Sequence, residues 1–205
     1  MTAPEDPWYD NRVPGNPGWQ PIFDGRNGMD LAGSLNKAIE IVKLNGSVAA
    51  EVGRDEQSLQ PGLVFIAASG LAAAIASIFG HGGIGGLIMM PVMAIVGYFV
   101  GVGILHLVAT IAFGAKGEFM SLLRAESHAA ILGWAGIIPI IGSLVSLWHF
   151  PVSVVILQNV YGMPRDKAIA TVAVIAGFFL LLGLVMMLFF GALLGGLFMG
   201  MNAGR

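Results

Sequence analysis

The chain has 205 residues, of which 56% are hydrophobic and 11% charged, with a formal net charge of -2 and no cysteine. This composition lies outside the range of soluble globular domains and points to a membrane protein. It excludes disulfides, thiol catalysis and Cys-based metal sites, and it offers no basic face to a nucleic acid.

Residues 1–28 mix Pro and Trp with Asp, Asn and Gly and show no apolar period, so they read as a disordered tail. From Leu31 the pattern changes. Leu31, Leu35, Ala38, Ile39 and Val42 recur at helical spacing, with Ser34, Lys37, Glu40 and Lys43 on the opposite face. One short amphipathic helix is expected, capped by Asp30 and stopped at Asn45-Gly46. A polar connector from Glu51 to Gln60 then leads to the membrane, so that residues 29–60 form one cytoplasmic segment.

Three stretches carry no Asp, Glu, Lys or Arg: Leu87–Phe113, Ala129–Val160 and Ala168–Gly204. Runs of this kind are read as spans because a helix satisfies its own backbone in lipid. Pro61–Phe79 supplies a further span, and "GHGGIGG" links it to the next. The run Ala129–Val160 has 32 residues. As one helix it would be ~48 Å long, too long for a ~30 Å hydrocarbon core. Pro139 and Gly142-Ser143 offer a turn in its middle. If the run folds back, nine of the ten Lys and Arg residues fall on one side of the membrane, as the positive-inside rule prefers.

The expected fold is therefore an all-α integral membrane bundle with five transmembrane helices and a cytoplasmic N-terminal amphipathic helix. The spans lie at about 61–79, 87–113, 128–141, 143–161 and 167–190. An apolar, Gly-rich tail occupies 191–205. The N-terminus is cytoplasmic and the C-terminus outside.

The stretch "FGAKGEFMSLLRAESHAAILGWAGIIPIIGSLVSLWHFPVSVVILQNVYGMPRDKAIATV", Phe113–Val172, resembles the Ypt-interacting-protein (Yip) domain family. The matching features are a Gly-containing link, a short amphipathic segment, a small apolar span ending in "IP" and Gly, a Trp early in the next span, and "YGMPRDKA" before the last. The resemblance covers about Pro61 to Phe190. It implies a five-span protein with a cytoplasmic N-terminal region that binds small Ras-like GTPases, forms complexes with its relatives and organises membranes in early secretory traffic. A eukaryotic member would reside in the endoplasmic reticulum or Golgi, a prokaryotic one in the cytoplasmic membrane. No motif in the N-terminal tail carries a GTPase contact residue by residue.

His106 and His149 are the ionisable side chains, tyrosines aside, well inside the expected spans, and intramembrane ionisable groups are functional candidates. With no carboxylate or cysteine expected at their depth, a zinc site or proton relay is incomplete, and interhelical hydrogen bonding is the role expected for them and for Gln158 and Asn159. Pro151 frees a backbone carbonyl that the His149 ring can occupy. Gly97/Gly101, Gly191/Gly195 and Gly196/Gly200 have GxxxG spacing, suited to helix contact within the bundle or at a homo- or hetero-oligomer face. Trp134 and Trp148 suit an outer interfacial belt and Tyr161 an inner one. "GHGGIG" formally matches a dinucleotide fingerprint but lacks the strand and the acidic residue that such a site needs, and it reads as a turn.

The Leu31, Leu35, Ile39 and Val42 face is the candidate surface for lipid or a partner. The function expected is a non-enzymatic membrane organiser of trafficking type that binds membrane or soluble partners through its N-terminal arm, with no cofactor. The alternatives are a channel or carrier for a small neutral solute or ion, lined by the polar residues above, and an intramembrane enzyme acting on lipid.

Overall fold

The computed structural model describes residues 29–79 and 85–203, with the backbone alone at residues 79, 139, 143 and 192–203. The 1–28 tail and most of the Gly80–Gly86 link therefore lie outside the described residues. Two units divide after Asp30, and the fold below is that of Leu31–Arg205.

Helix α1 spans Leu31–Val42 and is amphipathic as its spacing requires. It buries Ala38 and Ile41 against the bundle, chiefly on α5 (Phe119–Ala129), while Leu31 and Ile39 stay exposed. The helix ends in a left-handed residue, but that residue is Leu44, at φ 69°. The Asn45 N–H closes the turn on Glu40 O at 3.0 Å. A left-handed leucine costs about 1–2 kcal/mol. Its side chain packs on the core, which offsets that cost.

Asn45 then starts a helix rather than ending one. Its side chain accepts from the Val48 N–H, and α2 runs from Gly46 to Arg54 with Ala49, Val52 and Gly53 buried. The stop of α1 expected at Asn45-Gly46 agrees within a few residues with its end at Val42, whereas α2 takes the place of part of the expected Glu51–Gln60 connector. The correction has a physical reason: Ala49, Val52 and Gly53 make a small apolar stripe at i, i+3, i+4, too narrow to stand out among the charges beside it.

A short 3₁₀ turn, Glu56–Ser58, leads into α3, Leu59–Phe79. Helix α4 follows as Gly86–Leu107 and passes into a π-helical segment, Val108–Ala112. The α3–α4 contact is close at Gly70, where an added Cβ would stand 2.5 Å from Pro91 Cα. Helix α5 continues into a 3₁₀ segment, Ala130–Ile137, and Ile138 breaks the run with an extended backbone. Pro139 opens α6, Pro139–Val160. The chain folds back at this point: a Cβ on Gly142 would meet Gly136 Cα at 2.7 Å. Helix α7 is a single helix from Arg165 to Ala203, taking in most of the 191–205 segment that the sequence set apart as a tail.

Among the described residues, four helices are long and apolar enough to cross a membrane: Glu56–Ile78, Gly86–Ala112, Ile140–Val160 and Arg165–Gly191. The expected 128–141 span is not among them. Its apolar part is the eight-residue 3₁₀ segment, ~16 Å long at about 2 Å per residue.

The buried core gathers at one end of the bundle. Ile41, Val52, Leu122, Leu123, Ile156 and Leu157 lie there fully enclosed, with the last turns of α4 and the first of α7 closing around them. Toward the other end the apolar side chains turn outward: Ile88 is 80% exposed, Ile140 79% and Leu180 76%. A contiguous exposed surface of this kind is stable only against hydrocarbon.

Candidate functional site

Two arrangements converge on α5. The first holds the N-terminal helices. The Trp148 indole of α6 donates to Val42 O at 2.8 Å, at the last turn of α1. The Arg124 guanidinium donates to Gly53 O at 3.1 Å, near the last turn of α2. Helix C-termini leave carbonyls without partners, and a cation there also complements the helix dipole. One indole and one guanidinium thus latch both helices to the bundle. A Lys37–Glu51 ion pair at 2.8 Å joins α1 to α2, and its exposure limits it to under about 1 kcal/mol. On α2, an added Cβ at Gly46 would overlap the Asn159 side chain, and one at Gly53 would stand 3.2 Å from Ser121 O. A larger residue at Gly46 requires the Asn159 side chain to move, and one at Gly53 requires its neighbours to shift by a few tenths of an ångström.

The second arrangement is a polar centre inside the apolar core. Glu126 of α5 is 1% exposed, and its Oε2 accepts from His149 Nε2 of α6 at 3.1 Å. The Tyr98 hydroxyl of α4 donates to the Glu126 carbonyl at 2.6 Å, and the Tyr98 and His149 rings meet edge-on at 6.2 Å. This centre overturns the expectation that no carboxylate reaches His149. Its ring is held by Glu126 rather than by a carbonyl freed at Pro151. Glu126 lies in the short amphipathic segment, where it shares the buried stripe of Leu122, Leu123, Ala129 and Ala130. A charged residue inside a helical apolar stripe was the available signal.

His106 lies in a separate pair. Its Nδ1 is 2.6 Å from the Tyr161 hydroxyl, which is 3.2 Å from Glu118 O. Both contacts are satisfied when Nδ1–H donates to the hydroxyl and the hydroxyl donates to the carbonyl. Gln158 and Asn159 donate to Val154 O and Val155 O, four residues back on their own helix. Trp134 donates to Phe65 O at 3.2 Å, tying the 3₁₀ segment to α3, and Ser69 adds a bond to Ala130 O at 2.5 Å.

An apolar cleft of about 470 Å³ opens above Glu126 between α4, α6 and α7. Of the four polar residues singled out by sequence, His149 alone lines it. Gly97 and Gly101 line it as well, and a Cβ on either would meet nothing within 4 Å. Among the described residues neither glycine makes the contact within the bundle that their spacing allows, and they leave space there instead. Gly191 likewise faces nothing within 4 Å, while Gly195 lies where only the backbone is described. Among the described residues no group of three or more His, Asp or Glu is arranged to hold a metal ion.

Long apolar helices with outward-facing apolar side chains, closed at one end by a packed polar-centred core, define an integral membrane protein of the multispanning helical class. Residues 43–187 match the Yip1 domain, so the chain belongs to the Yip1 domain family. Membership associates it with membranes and with membrane trafficking, in a family not known for enzymes. No curated protein and no solved structure matches the chain.

Proposed function

We infer that this protein is a non-enzymatic membrane organiser whose N-terminal helical pair is its partner-binding arm. The observation that carries this reading is the way α1 is held: one face packs on α5 and Trp148 of α6 holds its last turn, while Leu31 and Ile39 remain exposed at 42% and 38%. Such a helix offers an apolar strip, with Leu35 and Val42 at its margin, to a membrane or soluble partner without leaving the bundle. Small GTPases are candidates through the family alone.

The reading includes five crossings, with the N-terminus cytoplasmic and the C-terminus outside. Helix α5 and the 3₁₀ segment together reach ~32 Å, enough for the ~30 Å core, and the reversal at Ile138 starts the return. On this path Arg124 donates to Gly53 O of α2, Glu126 Oε2 accepts from His149 of α6 and His128 Nδ1 lies 2.9 Å from Arg124 O, while Arg124 Nε, Glu126 Oε1 and His128 Nε2 are buried without a hydrogen-bond partner among the described residues.

Crosslinking and mass spectrometry in native membranes tests the arm. Leu31→Asp with Ile39→Asp is expected to abolish partner recovery while the protein stays inserted and folded, and unchanged recovery refutes the reading. The absence of cysteine permits single-cysteine labelling for the topology. A cysteine at Ile138 should react from the outer face, and one at Glu56 from the cytoplasmic face. Reaction of both from the same side rules out five crossings.

A further inference from the structure

The polar centre leaves one atom unaccounted for. Glu126 Oε2 is bonded to His149, but Oε1 is buried with no hydrogen-bond partner among the described residues. A buried carboxylate that is half satisfied is destabilising unless something arrives to complete it. The residue lines the floor of the α4/α6/α7 cleft, and the last torsion of a glutamate is soft. Rotation about that torsion presents the free oxygen to an arriving donor while shifting Oε2 on His149 Nε2.

We propose that this cleft binds a single-chain amphiphile with a protonated amine head, the ammonium on Glu126 and the alkyl chain between α4 and α7. Three features define the ligand. The oxygen without a partner accepts a hydrogen bond, so the head must donate, and an ammonium supplies charge-assisted donors. Besides His149, the lining holds no basic side chain, so a phosphate-bearing head would enter uncompensated beside Glu126. Above the floor the walls are apolar apart from Tyr98 and Ser153, and the volume of about 470 Å³ is that of a small-ligand site.

The route of entry follows from the surface. Val96, Val100, Val174 and Phe178 flank the cleft and are at least half exposed on the apolar band, so a lipid-soluble ligand reaches it from the bilayer. Gly97 and Gly101 supply the width. This site is distinct from the α1 strip, and its failure leaves the arm's role untouched.

The test is photolabelling of the full chain in phosphatidylcholine vesicles with three diazirine probes of equal chain length: a long-chain amine, the matching alcohol and the matching carboxylate. The amine should label cleft residues of α4 and α7, identified by peptide mass spectrometry. Glu126→Gln, which preserves shape and removes the charge, should cut that labelling by roughly tenfold or more. Gly101→Leu should abolish it by filling the cleft, without lowering the melting temperature, since nothing packs on Gly101. Equal labelling by all three probes, preference for the alcohol, or amine labelling that survives Gly101→Leu overturns the proposal. If Glu126→Gln fails to fold, the Gly101→Leu result decides.

Discussion

Shortening Ile41 to alanine separates the two faces of α1. Ile41 is 1% exposed and belongs to the main core cluster, whereas Ile39, two positions away, is 38% exposed. Removing a buried isoleucine side chain down to alanine costs about 2–5 kcal/mol. Taking the low end for a helix at the edge of the bundle gives about 2–3 kcal/mol. The loss falls on local opening of α1 rather than on the whole bundle, because α3, α4 and α7 keep their own contacts. At about 1.4 kcal/mol per decade, amides of Leu31–Val42 should exchange roughly 30- to 150-fold faster. Hydrogen exchange read by mass spectrometry in nanodiscs measures this directly. Ile39→Ala should change the same amides by no more than about twofold, the effect of about 0.5 kcal/mol or less expected at a surface site. Equal acceleration by the two variants would show that α1 does not dock through the Ala38–Ile41 face.

Other consequences can be checked in the same preparation. Gly117→Ala places a methyl group inside the Tyr161 ring, so it should break the His106–Tyr161 contact and cost about 1–3 kcal/mol, seen as a lower melting temperature. Trp148→Phe removes the indole donor to Val42 O and should speed exchange in the last turn of α1 several-fold, a loss of about 1 kcal/mol, with α2 unaffected. Tyr98→Phe leaves the Glu126 carbonyl without its 2.6 Å donor and should lower stability by about 1–3 kcal/mol, whereas an unchanged melting temperature would show that the bond is not formed. Glu40 is hydrogen-bonded to Lys43 and Asn45, which hold its carboxyl below the usual carboxylate value. Its contribution is present above an unfolded pKa of about 4.3 and is lost as pH falls through the lowered folded value. Acidification should therefore loosen the α1–α2 junction, and Glu40→Gln should weaken that dependence in exchange measurements.

By itself the sequence determined that the chain is helical, that it lives in a membrane and where its long spans run. Those features follow from properties a segment carries alone: uncharged length, 3.6-residue periodicity and a proline that cannot continue a helix. The family was legible in the same way, since the order of Phe113–Val172 is a linear pattern, and so was the break near Pro139 in a run too long to be one helix.

Tertiary structure decided everything that depends on which side chains meet. Ala38 and Ile41, rather than the wider apolar stripe beside them, face the bundle because close helix approach favours a small residue next to a large one. A second helix forms at Gly46 because α5 and α6 supply the surface that its narrow stripe needs. Gly97 and Gly101 have the spacing of a contact and line a cleft, because spacing fixes a face of one helix and leaves the distance to its neighbour open. Glu126 is separated from His149 by 23 positions. The fold brings the two together, since a carboxyl group in an apolar core needs a partner held within reach, here from another helix.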